Sequence, residues 1–487
     1  MMKNLFYIAT ILLLMTSCND WLDIQPEAAV SDNELFSTKE GFQEAINGIY
    51  TRCSQGELYG GELTVGLPGV MAQNYTNTVY DYTGYLKTSL FDFTDQTFKS
   101  RRDNIWDAAY NAIANCNLVL ENIDHQKELF TEDEYGIIKG EALALRAYIH
   151  FDMLRLFGPS YLVGANQEAI PYVTSYSNKV TQRSTVDEVI ANILTELNDA
   201  KGLMTGDPIR TGNYKTGYPD DEDATEESNA GLFMQNRRHR LNYYAVCGEM
   251  ARVYLYKGDD TNALTNALEV IDSEKFPWTE SSDLLEADPQ KKDRIMYKEL
   301  VFGWYAEAQK TPLYDRFNST VNGQFIDDDN ARSFYEVASI GAEDFRFKAW
   351  FSQVSNTDGI RYRIMKYMRD DDVNLHYLML PGIRLSEMYY IAAESSYGTN
   401  PDQAWEYLNT VRFQRGIGTN LDGSSGTSFQ TELLKEYRKE TYAEGQLYFA
   451  YKRLNENIIG QSNTIFAASP DIFVLPLPYD EVEYANR

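Results

Sequence analysis

Apolar positions recur at helical spacing over most of this chain. Between residues 131 and 157, Ala144, Ala147, Tyr148, Phe151 and Leu154 fall at i, i+3, i+4, i+7 and i+10 and form one face. Thr131 with Glu134 offers a capping box at the start, and Gly158-Pro159 stops the helix. The same period predicts an antiparallel partner from about Thr97 to Ile123. Ser37 with Glu40 caps a helix reaching about Cys53, and Arg183-Ser-Thr-Val-Asp-Glu188 opens another reaching about Leu203. From Leu241 a stripe of Leu241, Tyr244, Ala245, Gly248, Ala251 and Leu255 places small residues where a second helix must come close. Gly258-Asp-Asp breaks that helix, and Ala263, Leu264 and Ala267 begin its partner. A second pair spans 383–398 and 400–413, with Asn400 as cap and Pro401 at the first helical position. A last long helix is predicted over about 428–455.

Ala251, Tyr254, Gly258 and Ala263 match the helix–turn–helix spacing of a tetratricopeptide-type repeat. The repeats are degenerate, so stacked helix pairs are expected and no regular array. Three stretches break the pattern. Residues 55–98 read as a long loop with a polar-aromatic run, Gln73-Asn-Tyr-Thr-Asn-Thr-Val-Tyr-Asp-Tyr-Thr-Gly-Tyr85. Residues 205–236 are rich in Gly and acid and read as a solvated loop without the ligand pattern of a calcium site. Residues 273–382 carry two short strand patterns, 299–304 and 361–367, among aromatic-bearing loops. Residues 473–486 read as an extended, Pro-punctuated segment with a short terminal turn. The expected fold is therefore mainly α. Its tetratricopeptide-like pairs form a helical body over 37–272, followed by an irregular insertion at 273–382 and C-terminal pairs with an extended tail at 383–487.

Charge and composition narrow the function. The 487 residues carry a formal net charge of −28, which argues against nucleic acid and against adsorption to anionic lipid. Tyr is abundant at 36 residues, a side chain with a flat apolar face and a polar tip that suits sugar rings and wet interfaces. The histidines His125, His150, His239 and His376 are scattered without zinc spacing. With 72 carboxylates, pairs at glycosidase spacing carry no signal, and no nucleophile elbow or phosphate loop occurs. No catalytic residue, metal or cofactor is expected. At the start, Lys3 precedes a short apolar run over 5–15 and then Met15-Thr-Ser-Cys18, which resembles a bacterial lipobox. That resemblance implies a signal peptide over 1–17, removal before Cys18 and lipidation of Cys18, with 18–36 as a tethering leader. Several acyl chains give stable anchoring where one is marginal. Cys53, Cys116 and Cys247 are expected as buried free thiols.

Taken in order, the motifs resemble the SusD/RagB family of outer-membrane nutrient-binding lipoproteins. The resemblance rests on Trp21-Leu-Asp-Ile-Gln-Pro26 and on Gly140-Glu-Ala-Leu with Leu145-Arg-Ala-Tyr, Phe151-Asp and Leu156-Phe-Gly158. It continues through Arg183 to Glu188, Ala251-Arg-Val-Tyr-Leu-Tyr-Lys-Gly258, Ile383-Arg-Leu-Ser-Glu387 with Ala393-Glu394, and Leu408-Asn-Thr-Val-Arg412. Glu436-Tyr-Arg-Lys-Glu440 with Glu444-Gly445, and Leu475-Pro-Leu-Pro478, complete it. The family implies a superhelical body exposed on the outer face of the outer membrane. It implies a SusC-like TonB-dependent barrel as partner, over which the lipoprotein closes as a lid to deliver oligosaccharide, or in some members peptide.

Sugar recognition needs flat aromatic faces beside hydrogen-bonding side chains. Two stretches offer both: Asn74, Tyr75, Asn77, Tyr80, Tyr82 and Tyr85, and Trp278, Tyr314, Arg316 and Trp350. In the family, loops at both positions commonly converge on the ligand. Trp304 falls in a strand pattern and is expected in the core. The competing reading is that such aromatics staple long loops to helices. Glu141, Arg146, Arg384 and Glu387 are charges on helices built for burial, and paired charges locking neighbouring elements are expected there in preference to barrel contact. The rival classes are a surface glycoside hydrolase and a helical scaffold that binds only protein.

Overall fold

The computed structural model describes residues 32–78, 80–219, 221–319, 323–356, 359–368, 378–424 and 426–484. The signal peptide, Cys18 and His376 lie outside the described residues. Eleven helices of eight or more residues are numbered here: α1 Lys39–Cys53, α2 Gln96–Ile123, α3 Glu132–Phe157, α4 Val186–Leu203, α5 Tyr243–Lys257, α6 Asp260–Ile271, α7 Lys310–Asn318, α8 Leu385–Tyr397, α9 Pro401–Gln414, α10 Phe429–Glu440 and α11 Gln446–Leu454. They pack in sequence order: α1 on α2, then α3, α4, α5, α6, α8 and α9 in turn, with α10 against α8 and α9 and α11 against α10. This is the expected mainly helical stack of pairs. None of the described helices is long and apolar enough to cross a membrane.

Local chemistry explains the boundaries. The capping box closes on α3, where Glu134 N–H donates to Thr131 and the Glu134 carboxylate accepts from Thr131 N–H. Thr185 and Glu188 repeat it on α4. On α1 the cap is Thr38, whose hydroxyl accepts from Gly41 N–H at 3.1 Å. Ser37 instead turns back to donate to Glu34 O at 2.7 Å. The helix expected over 428–455 is two helices. Between α10 and α11, Ala443 and Gly445 take φ of +59° and +76°. A side chain at Gly445 would meet Leu63 O at 2.4 Å, so the chain turns at its closest approach to the 55–66 segment.

The irregular region carries β3 Leu300–Tyr305 paired antiparallel with β7 Met379–Arg384, and a three-stranded sheet in which β6 Gly359–Ile364 lies between β4 Phe325–Asp327 and β5 Phe351–Asn356. (β1 Glu168–Pro171 and β2 Arg183–Thr185 form a separate ribbon.) Trp304 joins β3 to the helical body. It stacks on Tyr59 with centroids 4.3 Å apart and meets the edge of Tyr148 on α3. Much of the 55–98 stretch is therefore core rather than free loop: Leu58, Val65, Leu67, Val70 and Met71 are fully buried.

Ion pairs tie the layers together. Arg146 donates to Glu196 of α4 through Nε at 3.1 Å and Nη2 at 2.7 Å, and to Asn117 of α2 at 2.6 Å. Glu387 of α8 accepts both arms of Arg252 of α5 at 2.5–2.6 Å. Glu141 pairs with Arg237 and Arg240, and Arg384 with Glu444. Arg415 bridges Glu299 and Glu440, while Arg346 bridges Asp344, Glu436 and Glu440, fixing the insertion to α10. The 205–236 stretch is less solvated than its composition suggests, because Glu226 is buried against Arg238. The described cysteines Cys53, Cys116 and Cys247 are free and buried.

Candidate functional site

The polar-aromatic run folds around Asp81. This residue sits in the left-handed region at φ +42° and accepts a hydrogen bond from Leu86 N–H at 2.8 Å. Thr78 O receives Asp81 N–H, and Asp81 O receives Gly84 N–H, both at 3.0 Å. The reversal turns Tyr80 and Tyr82 to the same side. Their rings stack with centroids 5.9 Å apart at 23°, and they are 73% and 57% exposed. An exposed stacked pair of this kind is a surface that packing within the chain does not use.

A scaffold beneath holds the turn. Arg101 of α2 donates to Gly84 O at 2.6 Å and Thr83 O at 2.7 Å, and its guanidinium covers the Tyr85 ring at 3.8 Å. The Tyr85 hydroxyl donates to Glu62 at 2.7 Å and accepts from Arg316 at 3.2 Å. Burial raises the Tyr85 phenol above its ordinary range, so the hydroxyl stays protonated as that donor. The insertion reaches the same place: Thr76 N–H donates to Phe325 O at 2.8 Å, and Asp327 N–H donates to the Thr76 hydroxyl at 3.1 Å.

Between the run and β4 lies a cleft of 20 Å³ lined by Asn77, Asp81, Tyr82, Gln324 and their neighbours. Gln324 was not among the sequence candidates. Its backbone N–H is held by Arg316 O at 2.7 Å, yet both polar atoms of its side-chain amide are buried without a hydrogen-bond partner among the described residues. Such an atom costs about 1–3 kcal/mol.

The ten candidates divide. Asn77 and Tyr82 line the cleft, with Tyr80 stacked on Tyr82. Tyr85, which is buried, and Arg316, which is half-buried, come together as support beneath the run. Asn74 and Tyr75 are buried, the Asn74 carbonyl accepting from the Tyr442 hydroxyl and the Tyr75 ring lying edge-on to Tyr442, so neither presents an exposed platform, although Tyr75 lines the cleft and its hydroxyl has no partner among the described residues. Trp350 is 0% exposed. Its indole donates to Arg294 O at 2.7 Å and Lys366 lies over the ring at 3.9 Å, which makes it a core residue and not a ligand surface. Trp278 is half-buried against Tyr389 and Arg415, and Tyr314 is half-buried on α7. A second, larger groove of 710 Å³ runs between α2 and residues 171–181, floored by Trp106 and Tyr110. Among the described residues no group of three or more His, Cys, Asp or Glu could hold a metal ion.

Stacked helix pairs carrying an irregular, strand-bearing face define a tetratricopeptide-like helical protein. Two family profiles match it: one described as "Starch-binding associating with outer membrane" over residues 20–216, and the SusD family over residues 360–469. The chain belongs to the SusD/RagB family. It is 25% identical over 207 residues to a SusD-like protein of Formosa agariphila, covering 41% of this chain and 37% of that one. It is 23% identical over 267 residues to a SusD-like protein of Bacteroides ovatus, covering 54% and 41%. The aligned stretches thus span about two-fifths of these relatives' own length. A SusD superfamily protein from Bacteroides thetaiotaomicron is similar in structure, with a TM-score of 0.71 at 20% identity over 92% of this chain and 98% of that one. A SusD-like carbohydrate binding protein from Bacteroides vulgatus gives 0.69 at 18% identity over 92% and 96%. At these identities the likeness shows a shared fold.

Proposed function

We propose that this protein is a cell-surface, lipid-anchored glycan-binding protein that captures oligosaccharide and passes it to a SusC-like TonB-dependent transporter in the outer membrane. The exposed Tyr80–Tyr82 stack beside a cleft carrying hydrogen-bonding side chains is the observation that carries this reading. Paired aromatic faces meet the apolar side of a pyranose, and Asn77 stands beside them to meet hydroxyls. Membership of the family supports the placement at the outer membrane, and the description of one matched profile supports a sugar ligand. Cys18 supplies the anchor, which holds the body near the barrel mouth. Ligand bound between the lipoprotein and the barrel is shielded from escape, so its effective concentration at the transporter rises.

The protein binds and does not cleave. Incubating the purified mature chain with an array of neutral and acidic oligosaccharides and peptides tests this. Saturable glycan binding without new reducing ends is the expected result. Glycan turnover, or binding confined to peptides, overturns it.

A further inference from the structure

The cleft under the tyrosine pair has a volume of 20 Å³, and a water-sized group needs about 10–15 Å³ measured this way. That room matches one hydroxyl-sized group rather than a whole sugar ring. Gln324 lines it together with Tyr75, Asn77, Tyr82 and Phe325. At 4% exposed, with Oε1 and Nε2 both unpartnered among the described residues, Gln324 is a buried amide that no described residue satisfies. The position is built for close packing: a side chain at Gly323 would fall 2.5 Å from Ser319 O and 2.8 Å from Arg316 O. The one charged residue among the described lining residues is Asp81.

These features discriminate by chemistry. A hydroxyl both donates and accepts, so it meets either end of the amide. A carboxylate only accepts, and it would stand beside the Asp81 carboxylate in a site with little room for water. An ammonium would suit Asp81 but could not accept from Nε2. We propose that Gln324 is the specificity-determining residue of this site, reading a hydroxyl of an uncharged sugar whose ring rests on Tyr82, and that the protein's ligands are neutral rather than uronic-acid or sulfated oligosaccharides. The inference rests on the glycan-binding reading above and adds the ligand class and the residue that selects it.

The test uses the purified mature protein and an array of neutral, uronic-acid and sulfated oligosaccharides, followed by calorimetric titration of the strongest binder. Wild type should prefer neutral members, and Gln324→Leu should bind the chosen oligosaccharide at least tenfold more weakly. Gln324→Leu removes two buried unpartnered atoms at near-constant volume, so its melting temperature should equal or exceed that of wild type. Gln324→Met is the second variant should Leu disturb the fold, with the same expected loss. Equal affinity in a folded Gln324 variant, or strongest binding to an acidic member, overturns this inference while leaving glycan binding intact. No binding to any member overturns the glycan reading itself.

Discussion

Arg146→Ala should destabilise the protein by about 3–5 kcal/mol, the cost of breaking a buried pair by removing one partner. Arg146 is 7% exposed and its guanidinium makes four hydrogen bonds: two to Glu196, one to Asn117 and one to Thr174 O at 3.3 Å. Truncation strands the Glu196 carboxylate, whose pKa burial already raises against the opposing pull of Arg146. It also leaves the Asn117 side-chain oxygen without its donor. Urea unfolding followed by circular dichroism reads the loss as a lower midpoint. The double variant Arg146→Met with Glu196→Leu separates causes, because replacing both members with apolar groups removes the stranded charge and should recover most of the loss. An unchanged midpoint in Arg146→Ala would refute the view that the charge locks α3 to α4. A double variant as unstable as the single would show that the penalty is not electrostatic.

Three other outcomes are expected. Trp350→Ala should cost about 3–5 kcal/mol through the cavity it opens, measured by thermal melting, because the side chain is fully buried. Glu249, of which one oxygen has no partner among the described residues, is pushed up to about 7 by burial from an ordinary 4.5, so the folded state holds its proton between those values. Its contribution therefore falls as pH rises from about 4.5 to 7, by roughly 3 kcal/mol. His150 and His239, held down at about 3 by burial, act in the opposite sense over overlapping pH, so the effect is read as the difference between wild type and Glu249→Gln, whose stability should lack that fall. Cys18→Ala should move the protein from the membrane to the soluble fraction on cell fractionation, and continued attachment in cells lacking the barrel would contradict lipidation.

The helical stack was legible because its signals are local. The Thr131 and Thr185 boxes and Gly258 at φ +81° each act within a turn or two of the chain, whereas the single apolar face expected on α3 is not what the structure shows, since every residue from Gly140 to Phe157 is buried. The break between α10 and α11 was not, because residues 428–455 are locally helical and the turn at Gly445 answers to Leu63 O, far away in sequence. The site was half legible. The sequence marked the 74–85 run, but a loop has no period to say which of its aromatics face out. That choice is made by Asp81 in the left-handed region and by Arg101 gripping Thr83 and Gly84 from α2. Trp350 looked like its loop neighbours until Arg294 O and Lys366 supplied a buried home for its indole. Gln324 gave no signal, since a lone glutamine before a strand is ordinary and it is the placement of its amide on the cleft wall, with both ends unpartnered among the described residues, that sets it apart.

The most direct test of the account is titration of the strongest-binding oligosaccharide into wild type and into the double variant Tyr80→Ala with Tyr82→Ala. Both side chains are exposed and their scaffold lies below them, so the variant should melt within a degree or two of wild type while its affinity falls at least tenfold, about 1.4 kcal/mol. Wild-type affinity in the folded double variant would show that the tyrosine pair is not the platform on which the ligand rests.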